Sequence, residues 1–99
     1  MENQPKSHRV QELAATVHGR VQGVGFRYFV VEKALSIGLR GYARNTDDGS
    51  VEVLAQGPRP ALEKLLTHLQ RGPSAARVDE VEVHWGKPST HLSGFHVRF

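Results

Sequence analysis

Between Glu12 and His18 apolar and polar residues alternate, whereas from Phe26 to Ile37 the apolar residues return at helical spacing. The nine residues GRVQGVGFR, 19 to 27, carry the change of period. Leu13, Ala15 and Val17 fall on one face of the first segment and Ala14, Thr16 and His18 on the other, the pattern of a half-buried strand. In the second segment Phe26, Phe29, Val30, Ala34 and Ile37 line one side of a helix of about three turns. Gly38 stands where a left-handed C-cap is needed. A strand followed by a helix and another strand suits the split β-α-β arrangement, in which the helix crosses back over the sheet. Right-handed crossover then sets the next strand parallel to the first, which removes most topologies.

The remaining periods complete the plan. Leu39 to Asn45 and Ser50 to Gln56 read as two strands, with Asp48-Gly49 between them as a hairpin turn. On the second of these, Val51, Val53 and Ala55 point one way and Glu52, Leu54 and Gln56 the other. Pro60 opens a segment in which Leu62, Leu65, Leu66 and Leu69 form a helical stripe, closed by Gly72-Pro73. Val81, Val83 and Trp85 then alternate with Glu80, Glu82 and His84, and Phe95, Val97 and Phe99 with His96 and Arg98. The expected fold is an α+β two-layer sandwich in the split β-α-β arrangement, βαββαβ plus a short C-terminal strand. Its sheet is expected to be antiparallel, with two helices on one face. Residues 1–10 read as a polar tail and residues 11–99 as a single domain.

A chain of 99 residues can bury roughly 60–65% of its unfolded surface, enough for one core without staples. Cysteine is absent, which excludes disulfides and thiolate chemistry and suits a reducing compartment. MENQPKSHRV has no apolar run fit for a signal peptide and nothing else is long enough to span a bilayer, so a cytoplasmic protein is expected. The net charge of +3 is spread rather than blocked and leans only slightly towards anions.

The crossover makes the ends of the first two strands share one sheet edge, where the first helix also begins. The glycine loop leaves one strand end and Arg44-Asn45 occupies the other. Gly23 and Gly25 permit dihedrals that turn successive amides inward as an anion cradle. Arg27, in the first helical turn, adds a planar fork of donors suited to phosphate oxygens. The same glycines serve equally well for a plain tight turn with Arg27 in solvent, and pattern alone leaves both readings open. Two other phosphate loops do not fit: Gly86-Lys87 precedes Pro88, and Tyr28 occupies the third glycine position after Gly23 and Gly25.

With these residues in view, the chain resembles the acylphosphatase family. GRVQGVGFR looks like that family's phosphate-binding loop, and GYARNTDDGSVEV, residues 41–53, like its second signature. RGPSAARVDEVEV, residues 71–83, and the closing FHVRF match in kind, so the likeness spans about residues 11–99. It implies a ferredoxin-like fold and hydrolysis of the carboxyl-phosphate anhydride of an acyl phosphate to carboxylate and inorganic phosphate. Arg27 would be the phosphate-binding arginine and Asn45 the residue that orients the attacking water. The amides of Gln22, Gly23, Val24, Gly25, Phe26 and Arg27 would cradle the phosphate, and a phosphate or sulfate anion would sit in the loop. Ala43, where valine is common, and the N-terminal tail are slight departures.

The implied chemistry needs little machinery. The leaving carboxylate has a conjugate acid of pKa about 4 and departs without a general acid. Charge gathers on the phosphoryl oxygens, which amides and a guanidinium can stabilise without a nucleophile. No cofactor and no metal site are expected: the six histidines show no zinc-like spacing, and Asp47-Asp48 suits a turn better than a calcium loop. His18 is read as structural, Arg20 as a loop-face residue and Arg44 as a surface residue, since alternation sets it opposite Asn45.

A non-catalytic phosphate- or RNA-binding ferredoxin-like module is the alternative. RGYA, residues 40–43, opens like an aromatic RNA-contact motif but continues Arg44-Asn45-Thr46 and lacks paired stacking aromatics. A free-standing monomer acting on a small acyl phosphate, without nucleic-acid or membrane partners, is the expectation.

Overall fold

In the computed structural model, which describes residues 9–99, the chain runs β1 (Val10–Arg20), α1 (Phe26–Ile37), β2 (Arg40–Asn45), β3 (Val51–Pro58), α2 (Arg59–Arg71), β4 (Arg77–Gly86) and β5 (Phe95–Arg98). The expected tail, residues 1–10, lies outside the described residues except for Arg9 and Val10, and Val10 already belongs to β1. One five-stranded sheet has the order β4-β1-β3-β2-β5. Since β1 and β2 both pair antiparallel to β3, they run parallel to each other, as the crossover requires.

Alternation decides the core. Leu13, Ala15 and Val17 of β1 and Val51, Val53 and Ala55 of β3 are buried. They face Phe26, Val30 and Ala34 of α1 and Leu62, Leu65 and Leu69 of α2, which pack as one cluster. Gly38 closes α1 with its N–H on the carbonyls of Ala34 and Leu35. The opposite sheet face carries Thr16, Tyr42, Glu52, Leu54 and His84.

The sheet is antiparallel with one exception: β5 joins β2 in parallel. The cause lies in residues 87–94, which leave the β4 edge and reach the far edge beside β2. They pass the outer side of the sheet near Gln56, whose Nε2 donates to the Thr90 carbonyl at 2.7 Å and to Glu12 Oε1 at 3.0 Å. Alternation alone puts Gln56 outward; the crossing segment buries it.

Candidate active site

The C-terminal ends of β1, β2 and β5 and the N-terminus of α1 meet at one sheet edge. Gly23 (φ 74°) and Gly25 (φ 77°, ψ 19°) adopt left-handed backbone, and Gly25 is the N-cap of α1. Among the described residues no side chain caps this helix, and no acid lies in its first turn. The first helical bond from outside the loop runs from Phe29 N–H to the Gly25 carbonyl at 3.0 Å. The earlier amides therefore present donors and the positive end of the helix dipole.

The loop's side chains divide the labour. Phe26 is buried and Val24 packs against the core, so these two can offer a ligand only their backbone. Gln22 turns its side chain to the neighbouring hairpin, with Nε2 donating to the carbonyls of Thr46 and Ser50, each at 2.8 Å. That amide ties the glycine loop to the turn that follows Asn45. Arg27 is half-buried, donates from Nη1 to the Arg98 carbonyl at 3.0 Å, and lies 4.8 Å from the Phe99 ring centroid. This tether depends on the parallel direction of β5, which no local sequence pattern reveals.

Asn45 ends β2 opposite Val51. Its Oδ1 is buried and receives no hydrogen bond from the described residues. The turn behind it is stiff: Asp48 Oδ1 accepts from Thr46 Oγ1, from Ser50 N at 3.1 Å and from Ser50 Oγ at 2.7 Å. These donors hold the Asp48 carboxyl down at about 2. The sequence marked Asp48 as a turn residue; its reach to both hydroxyls depends on the folded hairpin.

Neighbouring charges sit elsewhere. Arg44 is on the face opposite the helices, where Glu52 Oε1 accepts from its Nη2 at 2.6 Å and its Nε at 3.2 Å. His18 lies 2.6 Å from Glu82, whose carboxylate raises the imidazole pKa above its ordinary value. Arg20 ends β1 in solvent, in register with Arg77.

Fold and edge together define a two-layer α+β domain with a glycine loop at the N-terminus of its first helix. The Acylphosphatase family model matches residues 13–97. Acylphosphatase of Thermus thermophilus is 59% identical over 85 residues, which cover 86% of this chain and 96% of that protein. The crystal structure of acylphosphatase from Bacillus subtilis superposes with a TM-score of 0.87 at 36% identity, covering 90% of this chain and 99% of the other. A Coxiella burnetii acylphosphatase gives 0.84 at 36% identity, covering 90% and 93%. The chain belongs to the acylphosphatase family, and its activity is that of an acyl phosphate hydrolase.

Proposed function

We propose that the backbone amides from Gln22 to Arg27, with the Arg27 guanidinium, hold the phosphoryl group of an acyl phosphate while Asn45 orients the attacking water. The buried, unpartnered Oδ1 of Asn45 carries this reading, because a shielded carboxamide oxygen without a donor favours an O–H that can supply one. Water donates one hydrogen to Oδ1 and aims its lone pair at phosphorus. The new P–O bond forms as the bond from phosphorus to the acyl oxygen breaks.

Each remaining demand has a local answer. Negative charge on the phosphoryl oxygens is met by amides and by guanidinium donors beyond the one on Arg98. Asparagine is not basic at neutral pH, so the water proton passes to a phosphate oxygen, whose second pKa is about 6. The carboxylate leaves unprotonated. We also propose that the enzyme works as a monomer in the cytoplasm, that free phosphate or sulfate occupies the same loop, and that neither nucleic acid nor membrane is a partner. Stacking of bases on Tyr42 has little room, since the Arg98 guanidinium lies 3.9 Å over that ring.

Phosphate release from benzoyl phosphate tests the assignment, with a chelator present to check independence from metal. Asn45→Ala is expected to lose at least about 10²-fold in kcat while retaining affinity for inorganic phosphate, as when one oriented donor is removed from a reaction site. Near-normal turnover in that variant would refute the role of Asn45.

A further inference from the structure

A cavity of about 860 Å³ opens between the start of β1, the start of α2 and the end of β4. It lies at the sheet edge remote from the glycine loop: Glu12 pairs with Gly86 near the cavity, whereas Arg20 pairs with Arg77 beside the loop. The length of β1 separates the two, roughly 30 Å at the usual strand rise. Arg9, Arg59 and Lys87 line the cavity together with Trp85, and among the described residues no carboxylate does.

Arg59 forms the platform. Its guanidinium lies 3.6 Å from the centroid of the Trp85 ring. Nε donates to Glu63 Oε2 at 3.1 Å and Nη1 to Gln11 Oε1 at 3.4 Å, so contacts on β1, β4 and α2 hold its plane. The side chain is still 40% exposed, which leaves its outer face within reach of a ligand. Arg9 and Lys87 form no ion pair among the described residues.

We propose that this cavity binds a nucleoside monophosphate, with the base stacked on the outer face of Arg59 and the phosphate between Arg9 and Lys87. Guanidinium planes stack on flat aromatic systems of many kinds, and the indole beneath makes the plane rigid. The volume falls in the range of small-molecule sites and has room for base, sugar and phosphate. Two cations suit a phosphate monoester, close to doubly charged at neutral pH, better than a single carboxylate.

Trp85 is the only tryptophan of the chain, so its emission reports on the cavity directly. Adenosine 5′-monophosphate is expected to quench it saturably. Adenosine and ribose 5-phosphate, each lacking one of the two contacts, should bind at least about tenfold more weakly. Arg59→Ala and Lys87→Gln should each weaken the nucleotide by about tenfold and leave benzoyl phosphate turnover unchanged. Inorganic phosphate, which lacks the stacking base, should displace the nucleotide only at concentrations at least about tenfold higher. Unchanged emission through high nucleotide concentration, binding of ribose 5-phosphate as tight as that of the nucleotide, undiminished binding in both variants, or displacement by inorganic phosphate at concentrations as low as those of the nucleotide itself would each overturn the proposal. None of these outcomes bears on the roles of Arg27 and Asn45, which turnover of the Asn45 variant tests separately.

Discussion

At Gly25 the backbone holds φ 77° and ψ 19°, yet a Cβ added there would meet no atom within 4 Å. The demand for glycine is conformational, since space is available. Gly25→Ala should therefore cost about 1 kcal/mol, and Gly25→Asn less, because asparagine tolerates left-handed backbone better than other residues with a Cβ. Urea unfolding of the two variants checks the order; an equal or reversed loss would point to a clash instead. Single residues of this kind were the most legible part of the site. The loop glycines and Arg27 stand out by residue type and order along the chain, although that pattern fits a plain tight turn as well as a cradle. The buried oxygen of Asn45 does not stand out, because its burial depends on neighbours brought by the fold.

The hairpin between β2 and β3 shows what an element adds to its residues. Hydroxyls of Thr46 and Ser50 and the Ser50 amide all converge on Asp48, and the Gln22 side chain clasps the same turn from outside. These donors favour the ionised carboxylate, so the folded pKa of about 2 lies below the ordinary value of 3.8. Its contribution is fully present above the ordinary value and is lost as pH falls through the interval towards 2. Asp48→Asn should remove that component of the acid sensitivity: between pH about 4 and about 2, the stability of the variant should fall less steeply than that of wild type in urea titrations. Parallel slopes would deny Asp48 the role. Element positions were legible because the strands alternate cleanly, α2 carries a leucine stripe and α1 lies between Gly25 and Gly38, and the expected bounds of α1 and β2 differ little from those observed. Two features were not legible: the burial of Gln56 and the direction of β5. Both are set by residues 87–94 as they pass from one sheet edge to the other, a long-range choice with no local signature.

On the scale of the whole molecule, that crossing gives the site its last component. Because β5 runs parallel to β2, its C-terminal end arrives at the edge where β1, β2 and α1 meet. The Arg98 carbonyl then takes one donor of Arg27, and the Phe99 ring lies against the guanidinium although that residue is 92% exposed. A ring so exposed adds little to the core, and the Arg27 guanidinium is the group it lies over. The two contacts restrict a long side chain and leave further guanidinium donors, which under the proposed function would meet phosphate oxygens. Phe99→Ala keeps the carbonyl and removes the ring, so the guanidinium should wander more while the fold stays intact. A cation–π contact at an exposed site is worth about 0.5–1 kcal/mol, which corresponds to a loss of about two- to fivefold in affinity for inorganic phosphate. Calorimetric titration of phosphate into both proteins measures this, with thermal unfolding as the control for stability. Tighter binding in the variant would mean that the ring withholds Arg27 from the anion, and that the end of β5 does not order the guanidinium for binding.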